Sequence, residues 1–319
     1  MMGDWKTARV LLALTGWASA CFGSDVPSTQ VQRPGFRATM VYPRQVADKV
    51  PGVLVLGGAE GGDTWAKAVA QRFAEHGYAA LAEAYFKVPG LDAQLQQIPL
   101  ERFKEGIDLL ASDPRVDPRR IAVIGFSKGA EAALLLASSD RRIKAVVAGS
   151  PTDVVWQGID RKAGTTKSSW TRGGSPLPFV PFAACNDCRS LGALYVASRG
   201  RSDVLSAAAI PIERARGPIL LLASANDAVW PSETMAAALE LRLKRHRFRH
   251  RVILLRYPDG GHFTLGPLAP QDARSDAAFG GGTAEGVLAA RRDSWPQMLS
   301  FLDRAFHHNS PANRRRGAS

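Results

Sequence analysis

Three short segments of this sequence carry the residue types that nucleophilic acyl transfer requires. The first is residues 125–129 (GFSKG), a G-x-S-x-G pattern centred on Ser127. A serine hydroxyl is a weak nucleophile at neutral pH, so a neighbouring base must take its proton while the oxygen attacks a carbonyl carbon. The pentapeptide alone is a weak signal, because small residues recur often, and its meaning depends on the elements around it.

Those elements are a buried strand and a helix. Residues 120–126 (RIAVIGF) form an apolar run typical of a buried strand, and residues 128–138 (KGAEAALLLAS) have the spacing of a helix. This strand–turn–helix setting resembles the nucleophile elbow of the α/β hydrolases, in which the serine stands above the carboxyl edge of the sheet. There the backbone N–H of Lys128 would face a developing oxyanion. The alternative is a serine that only caps a helix.

The base is predicted to be His262. It lies in residues 259–263 (DGGHF), directly after the strand-like run VILLRYP. The α/β hydrolases carry their catalytic histidine in the final strand-to-helix loop, which is this position. The other five histidines lie at a helix end, in a basic run and in the tail: His76, His246, His250, His307 and His308. The alternative for His262 is a surface loop histidine without a role.

The acid is predicted to be Asp227. It follows the apolar strand-like run 219–223, and its task would be to hold the imidazole in one tautomer and to stabilise the imidazolium. Asp259 is the rival, but it shares one short loop with His262. The order serine, aspartate, histidine is also the usual one for this fold.

A second oxyanion donor is expected from residues 57–62 (GGAEGG), after the first central strand. Glycines let this backbone approach a substrate carbonyl, and the N–H of Ala59 or of Glu60 would donate. The alternative is a phosphate-binding loop, but no G-K-[ST] follows.

From residue 36 onward, strand-like and helix-like segments alternate, which predicts an α/β fold with a mostly parallel central sheet and helices on both faces. We predict an α/β-hydrolase catalytic domain over residues 36–307, with a cap insertion at 151–211 that is rich in Gly, Pro, Ser and Trp. Residues 21–35 are predicted to be a linker, and 308–319 a disordered basic tail. The predicted strands cover 36–42, 53–56, 78–85, 120–126, 144–148, 219–223 and 252–255, and the predicted helices 65–76, 100–110, 128–138, 232–246 and 284–306.

Composition is that of a globular protein. The chain has 319 residues, 45% hydrophobic and 22% charged, with a net charge of +12. Basic residues concentrate at 242–251 and 314–316, which we interpret as a solvated helix end and a loose tail. No nucleic-acid-binding motif or aromatic stacking pattern accompanies them, so we predict no nucleic-acid partner. The oligomeric state is left open.

The N-terminus is typical of a targeting segment over residues 1–20. Lys6 and Arg9 form a positive region, residues 10–17 (VLLALTGW) are apolar, and residues 18–20 (ASA) fit a small-residue cleavage site. Cys21 follows directly, as in bacterial lipoproteins, although Ala18 stands where such sites usually carry Leu. We therefore expect an exported protein, either periplasmic or membrane-anchored through Cys21. The alternative is a frayed N-terminal helix in a cytoplasmic protein.

Cysteine usage agrees with export. Cys185 and Cys188 form a lone CxxC, which is compatible with a redox pair, half a metal site or a disulfide. No second CxxC supplies the remaining ligands of a zinc site, so we predict no metal and no cofactor. In an oxidising compartment a disulfide is favoured.

Eight motifs in order resemble one known family, the C-terminal catalytic domain of acyl-CoA thioesterases and bile acid-CoA:amino acid N-acyltransferases, near the dienelactone hydrolases. They are GGAEGG, AYFKVPGL, IPLERF, GFSKGAEAALLLAS, IKAVVAGSP, VVWQG, NDAVWPS and DGGHF, within residues 50–263. The family has a Ser or Cys nucleophile, so the resemblance implies Ser127 in that role, with Asp227 and His262 as partners. We expect the β-rich N-terminal domain of the animal members to be absent, since only residues 21–52 precede the first central strand.

The resemblance implies a serine hydrolase that cleaves an acyl thioester such as an acyl-CoA, or an ester, through an acyl-serine intermediate. The first alternative is an acyltransferase that passes the acyl group to an amine or alcohol, and the second is a non-catalytic envelope-anchored binding protein. Serine at the nucleophile position favours hydrolysis. We expect a small-molecule substrate, and a pocket lined by Tyr85, Trp156 and Trp230, which lie in three of the motifs.

Overall fold

The computed structural model describes residues 26–45, 48–160, 166–266 and 270–307. The strands are Ser28–Arg33 (β1), Phe36–Val41 (β2), Val50–Leu56 (β3), Ala79–Ala84 (β4), Ile98–Pro99 (β5), Val116–Phe126 (β6), Ile143–Gly149 (β7), Trp170–Arg172 (β8), Ser175–Pro176 (β9), Ile219–Ala223 (β10) and Val252–Arg256 (β11). The α-helices are Thr64–Glu75 (α1), Leu100–Ser112 (α2), Lys128–Ala137 (α3), Leu191–Ser198 (α4), Ser202–Ala208 (α5), Ser232–Arg245 (α6), Ala273–Gly280 (α7) and Ala284–His307 (α8). Short 3₁₀ turns lie at Ile212–Arg214 and Pro270–Asp272.

Eight strands form the central sheet, in the order β1-β2-β4-β3-β6-β7-β10-β11. The six strands from β4 to β11 pair in parallel, whereas β1 and β2 are antiparallel at one edge. The parallel strands are apolar on both faces because helices cover both. In β3, for example, Leu54 and Leu56 pack into one core cluster, and Val53 and Val55 pack into the other.

Helices α2, α3 and α6 contribute to the first of these clusters, and α1 and α8 to the second. The apolar faces of α1 and α2 recur at helical spacing and account for this burial. The predicted fold class is therefore confirmed: the sheet is mostly parallel, with helices on both faces.

The region between β7 and β10 departs from the strand–helix alternation, as its composition predicts. It holds β8, β9, α4 and α5, and most of a third cluster of buried aromatic and aliphatic side chains, to which Trp230 and Met235 after β10 also belong. Strand β8 pairs in parallel with β5, which directly precedes α2. The insertion is thus attached to the main domain by strand pairing.

The predicted linker over residues 21–35 needs a correction, because residues 28–33 form strand β1, hydrogen-bonded to β2 along its length. Its sequence STQVQR is exposed except for the half-buried Val31, so it lacks the apolar alternation by which a strand is recognised. The predicted signal segment, Cys21 and the tail at 308–319 lie outside the described residues. Among the helices that are described, none combines the length and apolar character needed to cross a bilayer.

Candidate active site

Ser127 occupies a sharp turn between β6 and α3. Its backbone has φ 54° and ψ −119°, a conformation that L-residues rarely adopt. Its N–H donates to the carbonyl oxygen of Gly149 at the end of β7, at 2.9 Å. A hydrogen bond to the neighbouring strand β7 therefore holds this strained turn, which is the conformation expected of a nucleophile elbow.

The two glycines of the pentapeptide are required by close backbone contacts. A Cβ on Gly125 would lie 2.1 Å from the carbonyl oxygen of Gly129, and one on Gly129 would lie 2.2 Å from that of Gly57. The second contact also brings the elbow against the glycine-rich loop at residues 57–62. Small residues therefore place the serine and the expected oxyanion loop side by side.

The structure brings Ser127, His262 and Asp227 together. The Nε2 atom of His262 lies 2.9 Å from Ser127 Oγ, and Nδ1 lies 2.9 Å from Asp227 Oδ2 and 3.0 Å from Oδ1. His262 is 3% exposed and Ser127 6% exposed, so little water competes for these hydrogen bonds. Such a chain can take a proton from the serine and hold the resulting imidazolium.

Asp227 is oriented by its own loop. Its Oδ1 accepts hydrogen bonds from the N–H groups of Val229 at 2.9 Å and Trp230 at 3.1 Å. Asp259, the rival acid, is exposed, and its Oδ1 accepts a hydrogen bond from Asn226 Nδ2 at 3.0 Å. The geometry therefore favours Asp227 as the partner of His262.

The acid and base loops are joined by a residue that sequence analysis missed. The carbonyl oxygen of Gly280, at the end of α7, accepts hydrogen bonds from His262 N–H at 2.8 Å and from Ala228 N–H at 2.9 Å. The glycine run at 280–282 was the available signal, since such a run permits this close approach.

The loop at residues 57–62, where we expect an oxyanion donor, has a more specific structure than its glycine content predicts. Tyr85 donates its hydroxyl proton to the carbonyl oxygen of Gly57, at 2.7 Å, and lies 3.2 Å from that of Gly58. The Gly58 N–H donates to Glu60 Oε1 at 2.8 Å, and Lys87 Nζ donates to the Glu60 carbonyl oxygen at 2.9 Å. Burial raises the pKa of the Glu60 carboxyl, opposed by hydrogen bonds from backbone N–H groups.

An ion pair beside Ser127 was also missed. Lys128 Nζ lies 2.6 Å from Glu131 Oε2 and 2.6 Å from Ser169 Oγ. The other oxygen, Glu131 Oε1, accepts hydrogen bonds from the Trp156 N–H and the Trp170 indole at 3.0 and 2.7 Å. Burial lowers the pKa of Lys128 and raises the pKa of Glu131, and their mutual attraction opposes both shifts. This network attaches the first turn of α3 to the cap.

The three predicted pocket residues are all buried. Trp156, Tyr195 and Trp230 form successive edge-to-face contacts, and Trp230 packs against the His262 ring with centroids 5.7 Å apart. Tyr85 lies behind the oxyanion loop. That these residues line a substrate pocket stays a prediction.

The structure joins Cys185 and Cys188 in a disulfide, in the loop that precedes α4. No group of three His, Cys, Asp or Glu side chains suited to a metal ion occurs within the part of the chain that the structure describes.

This sheet, with an elbow serine at its carboxyl edge, is the α/β-hydrolase fold, and solved structures agree. The α/β hydrolase MGS-M1 from a Medee basin deep-sea metagenome library superposes with a TM-score of 0.55 at 16% identity, over 88% of this chain and 98% of that one. A putative dienelactone hydrolase from Klebsiella pneumoniae gives 0.54 at 16% identity, over 87% and 98%. At such identities the likeness shows the fold alone.

The family is identified by sequence. The model of the BAAT / Acyl-CoA thioester hydrolase C terminal family matches residues 98–308, and the chain belongs to this family. Acyl-coenzyme A thioesterase 6 of Mus musculus is 27% identical over 86% of this chain and 64% of its own length. Acyl-coenzyme A amino acid N-acyltransferase 1 of Mus musculus is 28% identical over 88% and 65%. The chain thus spans less than two thirds of these relatives.

Proposed function

We propose that the protein is a serine hydrolase that cleaves an acyl thioester, such as an acyl-CoA, or an ester, through an acyl intermediate on Ser127. The observation that carries the proposal is the hydrogen-bond chain from Ser127 Oγ through His262 to Asp227, with distances of 2.9 Å at both ends. It lies in a water-poor site at the edge of the sheet where α/β folds place their ligands.

In the first half-reaction, Ser127 Oγ attacks the acyl carbonyl carbon as its proton passes to His262 Nε2. The carbonyl electron pair moves to oxygen, and the N–H of Lys128 together with an N–H of the 57–60 loop would stabilise the oxyanion. Asp227 keeps the Nδ1 proton in place. Collapse breaks the C–S or C–O bond, and His262 gives its proton to the leaving thiolate or alkoxide.

In the second half-reaction, water attacks the acyl-serine carbonyl while His262 Nε2 accepts its proton. A second oxyanion forms in the same place, its collapse breaks the bond to Ser127 Oγ, and the proton returns to that oxygen. The products are a carboxylic acid and free enzyme.

The thioester preference is supported by the relatives, several of which are named acyl-coenzyme A thioesterases. The acyltransferase alternative is supported by two others, named acyl-coenzyme A amino acid N-acyltransferases. In that case an amine or alcohol would replace water in the second half-reaction. Product analysis with added glycine or an alcohol separates the two, because transfer yields the conjugate and hydrolysis yields only the free acid.

The decisive experiment compares kcat/KM for acyl-CoA thioesters and simple esters in wild type and Ser127→Ala. We expect burst kinetics in wild type and a loss of about 10³-fold or more in the variant. Ser275→Ala is the control, since Ser275 is exposed and bonds only the Asp272 carbonyl at 2.8 Å. Activity within about tenfold of wild type in Ser127→Ala would refute the nucleophile.

We also propose that the protein is exported and that its mature chain begins at Cys21. The signal-like segment at 1–20 and the bonded pair Cys185–Cys188 support this. Intact-mass analysis and thiol labelling of protein from its own host test it. A chain that starts at Met1 or Met2, or two freely labelled thiols at 185 and 188, would contradict export.

A further inference from the structure

The loop at residues 57–60 presents different groups on its two sides. On one side, the Tyr85 hydroxyl lies 2.7 and 3.2 Å from the carbonyl oxygens of Gly57 and Gly58. In a trans peptide the N–H points opposite to the C=O. The N–H groups that share these two peptide units, those of Gly58 and Ala59, therefore point away from Tyr85.

The Glu60 carboxylate and the nucleophile lie together beside this loop. A carbon added at the Cβ position of Gly58 would be 2.7 Å from Glu60 Oε2 and 3.1 Å from Ser127 Cβ. The same carboxylate accepts the Gly58 N–H at 2.8 Å through Oε1. A carboxyl group of the chain itself thus accepts a backbone N–H adjacent to Ser127.

We propose that the Glu60 carboxylate is an internal occupant of the oxyanion-binding position, which the substrate carbonyl must displace before Ser127 reacts. The inference rests on the proposed function, because it takes Ser127 as the nucleophile. Gly58 N–H then becomes the loop donor to the oxyanion, where the sequence predicted Ala59 or Glu60.

The charges around the carboxylate fit this role. His262 and Lys87 favour the charged form of the Glu60 carboxyl, and Glu60 in turn acts on the Tyr85 hydroxyl behind the loop. Lys87 Nζ bonds the Glu60 carbonyl oxygen at 2.9 Å, which holds the loop backbone through a contact that does not involve the carboxyl group. Occupation by Glu60 keeps a backbone donor satisfied in the free enzyme, since an unpaired buried N–H is costly. It also means that an entering carbonyl oxygen must bind the Gly58 N–H more strongly than the Glu60 carboxyl does.

The test uses phenylboronic acid, whose boron forms a bond to a serine oxygen and places a boronate oxygen in the oxyanion position. Its inhibition constant is measured for wild type, Glu60→Ala and Glu60→Gln, with kcat/KM for an activated ester. We expect Glu60→Ala to bind the boronate about tenfold more tightly and to raise kcat/KM, because the competing acceptor is gone. Glu60→Gln should lie between, because its amide oxygen still accepts the Gly58 N–H without charge.

The matched control is Glu101→Ala, since Glu101 Oε1 also accepts a backbone N–H, that of Gly173 at 3.0 Å. It should leave the inhibition constant unchanged. Unchanged or weaker boronate binding by Glu60→Ala would overturn the proposal. If Glu60→Ala and Glu60→Gln increase boronate affinity equally, the effect comes from charge alone, and the proposal that Glu60 occupies the oxyanion position is overturned. Boronate binding to Ser127→Ala as tight as to wild type would instead overturn the proposed function.

Discussion

Lys128 and Glu131 form an ion pair at 2.6 Å in which both side chains are almost fully buried, at 2% and 0% exposure. The pair sits one residue after the candidate nucleophile and bonds three cap residues, Trp156, Ser169 and Trp170. A buried pair adds little net stability over apolar packing, but loss of one partner leaves an uncompensated charge in the interior. The contribution of this ion pair to the free energy of unfolding can therefore be tested by replacing one partner and then both.

We expect Glu131→Gln to lower the free energy of unfolding by about 3 kcal/mol, because Lys128 would lose its counter-charge. The double variant Lys128→Met with Glu131→Gln should recover most of this loss, because the buried charge is removed while the amide oxygen still accepts the N–H groups of Trp156 and Trp170. Urea unfolding measures both. The control is Asp203→Asn in the Arg201–Asp203 pair, where exposures of 72% and 69% predict little change in the free energy of unfolding. A single variant no less stable than the double would contradict the expectation.

The choice between the two aspartates is tested by matched amide substitutions. We expect Asp227→Asn to reduce kcat by about 10³–10⁴-fold, because the amide no longer holds the required tautomer of His262. The kcat of Asp259→Asn should stay within about twofold of wild type, since the Asp259 carboxylate bonds Asn226 and not His262. Steady-state kinetics decide, and the reverse ranking would move the acid to Asp259.

Removing the Tyr85 hydroxyl tests the support of the oxyanion loop. We expect Tyr85→Phe to lower kcat about tenfold with little change in KM, because the carbonyl of Gly57 loses its donor at 2.7 Å and the loop loses its orientation. Tyr257→Phe is the control, as that hydroxyl bonds Asp293 on the surface at 2.7 Å. A change in KM alone would point instead to a pocket-lining role for Tyr85.

A buried carboxyl in the core makes stability depend on pH. Glu83 in β4 is 0% exposed, and neither carboxyl oxygen has a hydrogen-bond partner among the described residues. Burial raises the pKa of Glu83 well above its ordinary value, opposed by Arg102. The pKa of Glu83 is thus higher in the folded chain than in the unfolded chain. Its contribution to the free energy of unfolding is therefore fully present below the unfolded pKa of about 4.3 and is lost as the pH rises through the folded pKa.

We therefore expect Glu83→Gln to remove this pH dependence and to be more stable than wild type at alkaline pH, by about 1–3 kcal/mol. The difference in unfolding free energy between the two proteins, measured from pH 4 to pH 9, gives the contribution of Glu83 ionisation separately from other pH effects. Glu75→Gln, on an exposed position, controls for the loss of a surface charge. A difference that stays constant with pH would contradict the ionisation of Glu83.

Local patterns were sufficient for much of the fold and for the identity of the three candidate residues. The apolar run at 120–126, the serine and the helical run at 128–138 follow one another in the chain, so their periodicity predicts the elbow, although its backbone is also held by Gly149 of β7. The parallel strands could be predicted because burial on both faces leaves a continuous apolar run. Strand β1 escaped prediction, since it is held by backbone pairing with β2 and its side chains are mostly exposed.

By itself, the sequence determined which side chains are chemically suited to acyl transfer and in which strand-end loops they stand, because those depend on residue type and short-range periodicity. Only the tertiary structure placed Asp227 Oδ2 2.9 Å from His262 Nδ1 and Asp259 against Asn226. It also joined the loops of Asp227 and His262 at the Gly280 carbonyl and set Glu60 beside Ser127. These are contacts between loops brought together by the packing of separate strands. Their geometry follows from sheet order and register, which short-range sequence patterns do not encode.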